Sequence, residues 1–149
     1  MLVKKIKFKD FLGNEREAEY YFHMSEADAY KLDLKTTGGL ERKLKTMTEK
    51  QDIPAFAAML DNLILQSYGH ISDDGISFVK DEEETKRFAE SNAYSIIFKE
   101  LVTNGDACID FIKGILPQNM QDRINEAIKK GDLKVQNSPV IDAKVTPIN

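Results

Sequence analysis

The sequence predicts an α+β protein that is predominantly α-helical, with an N-terminal β-hairpin followed by a bundle of about six short amphipathic helices. Three observations support this class. Apolar and charged residues alternate over much of the first 22 residues, which is the period of a strand. Beyond Ser25, apolar residues recur at helical spacing. Glycine, proline and capping residues separate these helical stretches.

The predicted hairpin turns at Gly13-Asn14. Before the turn, lysines alternate with Ile6 and Phe8, and after it glutamates alternate with apolar residues as far as Phe22. Because alternate residues of a strand point to opposite faces, Phe8 and Phe22 are expected on one buried face. The lysines of one arm are expected to pair with the glutamates of the other across the outer face.

The first predicted helix begins with Ser25 as its N-cap, and Asp28 completes a capping-box pattern three residues later. Gly38 and Gly39 end this helix, because glycine readily adopts the left-handed conformation that follows a helix C-terminus. A second short helix follows, with a narrow apolar stripe formed by Leu40, Leu44 and Met47.

The third helix is the most strongly periodic of the chain. It begins near Asp52, with Pro54 in its first turn, where proline is tolerated, and it ends at Tyr68-Gly69. Its apolar positions fit the 3.6-residue period and predict a core-facing surface made of Ile53, Phe56, Ala57, Leu60, Leu63 and Ile64.

Three more stripes follow in the second half of the chain. One helix is predicted to start at Ser91 or Asn92, and the "TNGD" stretch then supplies Gly105 as the residue after its C-terminus and Asp106 as the next cap. Pro117 ends the second of these helices. The stripes are Tyr94, Ile97, Phe98 and Leu101; Cys108, Phe111, Ile112 and Ile115; and Met120, Ile124, Ala127 and Ile128.

The predicted organisation is a single folded unit with an extension. A chain of 149 residues is long enough to bury its own core. Residues 1–117 are expected to form the hairpin and helical domain, residues 118–130 an accessory amphipathic helix, and residues 131–149 a flexible tail. The tail prediction rests on two prolines and the absence of a clear period.

Composition excludes several classes of partner. The formal net charge is −4, and the lysines are interleaved with glutamates rather than clustered, which argues against binding to nucleic acid. No run of eighteen apolar residues occurs, so a membrane-spanning helix is not expected. The N-terminus lacks the apolar segment of a secretory signal, and one cysteine is typical of a reducing compartment. The expected location is the cytoplasm.

The stretch Ser67–Glu84 is the best candidate for a metal or catalytic loop. With Gly75 at position 6 of a calcium-binding loop, His70 occupies position 1 and Asp81 position 12, so the template fails. The chain has only one further histidine, His23. The stretch is therefore predicted to be a connector, with a turn at "SDDG", an extended "ISFV" segment, and the acidic run 81–84 at a helix N-terminus.

No catalytic, cofactor-binding or metal-ligating residue is predicted. Cys108 lies on an apolar stripe, where a thiol behaves as a small buried hydrophobe, and no histidine in its helix lowers its pKa. A nucleophile, a base and an oxyanion donor cannot be assembled from these residues. A small metal-dependent hydrolase is kept only as an unfavoured alternative.

Several strings, taken in order, resemble the tail assembly chaperones of tailed phages and prophages of Gram-positive bacteria. They are "FLGNEREAEYYFHMSEADAYKLDL", "GGL", "SYGHISDDGISFVKDEE", the pattern of Phe88–Leu101, and "FIKGILP". The resemblance covers about Phe8 to Pro117. His23 and Cys108 depart mildly from the family pattern.

The resemblance implies a non-enzymatic protein that coats the tape-measure protein while the tail tube polymerises and that is absent from the mature virion. Its implied partners are the tape-measure protein, the tail tube protein as a second candidate, and further copies of itself. The candidate partner-binding residues are Tyr94, Phe98, Phe111 and Ile115, although their fit to the helical stripes favours core positions. A generic helical adaptor and a structural tail component are the alternatives.

Overall fold

Strands and helices follow the predicted order along the residues that the computed structural model describes, which are 1–36 and 38–131, apart from the side chain of Thr48. Within these residues there are four strands and seven helices, so the α+β, mainly helical class is confirmed. The strands are β1 (Leu2–Lys9), β2 (Glu15–Phe22), β3 (Tyr68–Ile71) and β4 (Phe78–Val79). The helices are α1 (Glu26–Lys35), α2 (Leu40–Lys50), α3 (Ile53–Ser67), α4 (Glu82–Ala89), α5 (Asn92–Thr103), α6 (Gly105–Ile115) and α7 (Gln118–Lys129).

The predicted N-terminal hairpin is confirmed. β1 and β2 are antiparallel, with Leu2 opposite Phe22 and Phe8 opposite Arg16. Residues directly opposite each other share a face, so Phe8 and Phe22 lie on the same side of the sheet, as expected. Phe22 is fully buried, whereas Phe8 is half-buried at the margin of the core.

The outer face of the hairpin carries the predicted ion pairs. Lys5 and Lys7 lie 3.3 and 3.7 Å from the carboxylate of Glu17, and Lys9 lies 3.8 Å from Glu15. Most of these side chains are well exposed, so each pair adds about 1 kcal/mol or less to stability. Their main contribution is to keep this face of the sheet polar.

A second hairpin extends the sheet. β3 pairs with β2 through Phe22 opposite Tyr68, β4 pairs with β3, and the strand order is β1-β2-β3-β4. The predicted turn is present, and the predicted extended segment contains β4, but the sequence did not predict β3. Gly69 permits this pairing, because a Cβ atom there would collide with the backbone oxygen of Val79.

Side-chain caps start most of the helices. Ser25, Asp52, Asp81 and Ser91 accept hydrogen bonds from backbone N–H groups in the first turns of α1, α3, α4 and α5. The acidic run 81–84 therefore lies at a helix N-terminus, as predicted. This arrangement is favourable because carboxylates there oppose the positive end of the helix dipole.

The junction between α5 and α6 differs from the prediction. Asn104, not Asp106, caps α6, and its side-chain oxygen accepts from the N–H of Ala107 at 3.0 Å. Gly105 is the first residue of α6 rather than a residue following α5. The prediction was wrong because one asparagine ends the first helix and caps the second, which leaves no room for a separate glycine turn.

α7 packs on the same core as the preceding elements. Met120 and Ile124 are buried in it, and the guanidinium of Arg123 lies 2.9 Å from Asp33 on α1 and 2.7 Å from Glu41 on α2. The hydrogen bonds from Arg123 lower the pKa of Asp33. The division at residue 117 stays a prediction, and residues 132–149 of the predicted tail lie outside the described residues.

Candidate functional site

The four candidate partner-binding residues occupy two kinds of position. Phe111 and Ile115 on α6 are each 1% exposed and lie in the core, whereas Tyr94 and Phe98 on α5 are half-buried against it. A partner can reach Phe111 and Ile115 only if the core opens. The accessible part of this set is therefore the edge of α5 that carries Tyr94 and Phe98.

Tyr94 is fixed by polar and aromatic contacts. Its hydroxyl donates a hydrogen bond to the carboxylate of Asp61 on α3, and its ring stacks on Phe98 with the centroids 5.9 Å apart. Burial, followed by the hydrogen bond to Asp61, raises the pKa of Tyr94, so the phenol stays protonated as a donor. This residue has a clear structural role in joining α5 to α3.

The titratable side chains do not form a metal centre within the described residues: no group of three His, Cys, Asp or Glu side chains there is placed to hold an ion. Nδ1 of His70 lies 2.8 Å from Oε2 of Glu84, which joins β3 to α4. Cys108 is buried on α6, and burial raises the pKa of its thiol to about 12. A thiol in that environment is not ionised at neutral pH.

The acidic residues of the second hairpin serve the turn itself. Oδ1 of Asp74 accepts from the hydroxyl of Ser72 at 2.6 Å and from the N–H of Ile76 at 3.0 Å. These hydrogen bonds lower the pKa of Asp74. The geometry is that of an aspartate closing a tight turn, in agreement with the predicted "SDDG" turn.

The tips of both hairpins expose large apolar side chains. Phe11 and Leu12 are 79% and 86% exposed at the first tip, and Ile76 is 82% exposed at the second. β3 runs antiparallel to β2, so both tips project from the same end of the sheet. Asp10 fixes the first tip by accepting from the N–H of Leu12 and pairing with Arg16, whose hydrogen bond lowers the pKa of Asp10 to about 2.

A further exposed apolar pair lies on α1. Tyr30 and Leu34 are 65% and 70% exposed and stand four residues apart, so they share one face of the helix. Neither residue was among the predicted partner-binding residues. Their exposure could have been predicted from the sequence, because the buried stripe of α1 contains Ala29, and Tyr30 and Leu34 do not lie on that stripe.

A cleft of about 430 Å³ opens between the end of α1, one face of α2 and the start of α3. We refer to it as the α1–α2–α3 cleft. Met47 and Ala55 provide apolar lining, and the charged lining residues are Lys35, Lys43, Lys50 and Asp52. No local sequence pattern predicts this cleft, because its lining residues come from three different elements.

None of the helices in the described part of the chain combines the length and apolar character needed to cross a membrane.

Comparison with known proteins identifies the family. The family model for phage tail assembly chaperones matches residues 1–147, which extends past both ends of the region that carries the sequence resemblance. Comparisons with curated proteins and with solved structures give no match. Because the match covers nearly the whole chain, the protein belongs to the phage tail assembly chaperone family.

Proposed function

We propose that this tail assembly chaperone binds the tape-measure protein of a long-tailed phage or prophage of a Gram-positive bacterium and keeps it soluble while the tail tube forms. The observation that carries the proposal is the family match over residues 1–147. The physical need is direct. A tape measure is a long helical chain whose apolar stripes lack a partner until the tube encloses them, and exposed stripes of that size aggregate.

The surface of the protein suits transient binding. Its exposed apolar side chains are spread over separate places, the hairpin tips with Phe11 and Leu12 and the α1 pair of Tyr30 and Leu34. Small separate contacts made by many copies along one partner add by multivalency, while each copy remains easy to displace. Displacement by the tube protein is what an assembly chaperone requires.

The proposal includes the partners and the location. The chaperone acts in the cytoplasm of the bacterial host, performs no enzymatic reaction and is absent from the mature virion. Tail tube protein is its second partner, and copies associate with one another along the tape measure. β1 supports self-association because it is an edge strand of the sheet, paired only with β2 among the described strands.

Tyr94 and Phe98 remain proposed contacts for the partner. They lie at the accessible margin of α5 and share one face of that helix, because they are four residues apart. Phe111 and Ile115 are assigned to the core instead, because each is 1% exposed.

Co-expression with the tape-measure protein of the same genome tests the proposal. The tape measure should move from the insoluble to the soluble fraction, with several copies of this protein bound to each chain. An unrelated helical protein of similar size is the control and should leave the tape measure insoluble. If the tape measure stays insoluble and mass spectrometry finds this protein as a stoichiometric part of finished tails, it is a structural tail component instead.

A further inference from the structure

The α1–α2–α3 cleft differs in charge from the rest of the molecule. Its lining holds three lysines and one aspartate, a net of +2, whereas the whole chain carries −4. Lys35, Lys43 and Lys50 are exposed and have no ion-pair partner within residues 1–36 and 38–131. Asp52 is the N-cap of α3: its carboxylate accepts a hydrogen bond from the N–H of Ala55 in the first turn of that helix.

An adjacent face of α2 provides an internal comparison. A cleft of similar size, about 450 Å³, lies there, and its charged lining consists of two acidic residues, Glu41 and Glu49, and two basic ones, Arg42 and Lys45. Glu41 is bound to Arg123, and Glu49 lies 4.0 Å from Lys45. The four charged lining residues of that cleft sum to zero, so a net positive charge distinguishes the α1–α2–α3 cleft from its neighbour.

The cleft also has an apolar part, formed by Met47 and Ala55. Met47 is partly buried, and its flexible thioether side chain adapts to differently shaped partners. Ala55 leaves room beside it at the start of α3. An occupant with an apolar side chain to place against Met47 and carboxylates to place near the three lysines would satisfy both parts of the lining.

We propose that the α1–α2–α3 cleft receives an acidic amphipathic helix of the partner protein, with its apolar side chains against Met47 and its carboxylates near Lys35, Lys43 and Lys50. The identity of that partner as the tape measure rests on the proposed function, whereas the preference for an acidic helix rests on the cleft alone. Electrostatic complementarity of this kind fixes orientation and speeds encounter while leaving the complex easy to dissociate.

Two designed peptides test the preference. Each is a leucine-striped helix of about 20 residues, long enough to be helical in isolation, with glutamate at every charged position in one and lysine in the other. By fluorescence anisotropy at low salt, the protein should bind the acidic peptide about tenfold more tightly than the basic one. The chain is negative overall, so without a local site the basic peptide would bind better, and that result would overturn the proposal.

Three variants localise the binding. Lys43→Glu with Lys50→Glu should abolish the preference, and Arg42→Glu with Lys45→Glu, which changes the net charge equally on the other face of α2, should keep it. Ala55→Glu places a carboxylate and added bulk in the cleft at a position of the first helical turn where glutamate favours folding. It should also abolish binding of the acidic peptide. Equal loss in the Arg42/Lys45 control would show that the cleft is not the site.

Co-expression separates this inference from the proposed function. If the wild-type protein keeps the tape measure soluble and Ala55→Glu does so equally well, the cleft is not the docking site, although the chaperone function stands. If the wild-type protein prefers the acidic peptide but does not keep the tape measure soluble, the cleft chemistry is supported and the tape measure is the wrong partner.

Discussion

Two regions of this molecule are held together in different ways. In the aromatic region, formed by β2, β3, α4 and α6, rings pack with centroids 4.3 to 6.0 Å apart around Phe22 and Phe88. In the charged region, formed by α1, α2 and α7, Arg123 joins the three helices through two carboxylates. Among the described residues, the buried apolar side chains that these three helices supply include no aromatic ring: they are Ala29, Leu40, Leu44, Met120 and Ile124.

The difference indicates which region contributes most to stability and which region contains the proposed binding cleft. Close apolar packing is strong and tolerates little change, whereas partly exposed ion pairs contribute little and are screened by salt. The exposed pair Tyr30 and Leu34, together with the α1–α2–α3 cleft, lies in the charged region. A surface that must bind a partner and then release it is easier to build away from the closely packed aromatic rings.

The largest expected effect comes from opening the aromatic region. Phe22 is 0% exposed, with its ring 6.0 Å from Tyr68, 5.8 Å from Phe88 and 5.3 Å from Phe111. Phe22→Ala should lower the free energy of unfolding by about 3–5 kcal/mol, measured by urea denaturation. Phe8→Ala on the same face is the control and should cost less because Phe8 is half-buried. Unfolding of Phe22→Ala at wild-type urea concentrations would contradict this account of the core.

A smaller effect is expected in the charged region. Arg123→Met keeps an apolar stem against the core and removes the contacts with Asp33 and Glu41, so the free energy of unfolding should fall by about 1 kcal/mol. Amide hydrogen exchange should quicken in α1, α2 and α7, and the difference from wild type should shrink in high salt.

Arg16→Met is the matched control for that prediction. This substitution removes the ion pair at the first hairpin tip, in which Nε of Arg16 lies 2.8 Å from Oδ2 of Asp10. The contacts within the charged region are unchanged. Exchange in α1, α2 and α7 should stay at its wild-type rate in this control. If Arg123→Met leaves exchange in these helices unchanged, apolar packing alone holds them and the contrast between the two regions is wrong.

The sequence could predict the features that leave a local pattern and not those that depend on contacts between distant residues. The first hairpin and the helices were predictable because alternation and 3.6-residue stripes are local patterns. β3 was missed, and β4 was predicted only as an extended segment without a pairing partner, because strands of four and two residues have no readable period. The stripe on α6 could not separate core from binding residues, since Phe111 and Ile115 fit either interpretation. The ion pairs of Arg123 and the lining of the α1–α2–α3 cleft are formed by elements that are far apart in the sequence, so no local pattern predicts them.

His23 lies where β2 leads into α1, between the two regions, and should make stability depend on pH. Its Nδ1 is buried and has no hydrogen-bond partner among the described residues, and its ring meets Phe78 edge-on with the centroids 5.4 Å apart. Burial, more than the nearby charge of Lys80, lowers the pKa of His23 below its ordinary value. The unfolded chain therefore takes up a proton first as the pH falls, so this contribution to stability is complete above about pH 6.5 and is lost below it.

The measurement is the urea midpoint as a function of pH for three proteins. His23→Phe keeps the aromatic contact and removes the titrating group, so it should flatten the decline below pH 6.5. His70→Gln removes the other histidine of the chain and should retain the decline that His23 causes. If His23→Phe declines as steeply as the wild-type protein, another group causes the pH dependence.

The smallest effect is expected at the second hairpin turn, which lies outside both regions. Asp73→Asn with Asp74→Asn should leave the melting temperature nearly unchanged with or without added calcium, because an asparagine oxygen can still accept from Ser72 and the N–H of Ile76. Differential scanning calorimetry of both proteins, with calcium and with chelator, makes the comparison. A calcium-dependent rise in the wild-type melting temperature that is lost in the double variant would show that these carboxylates bind an ion rather than only close a turn.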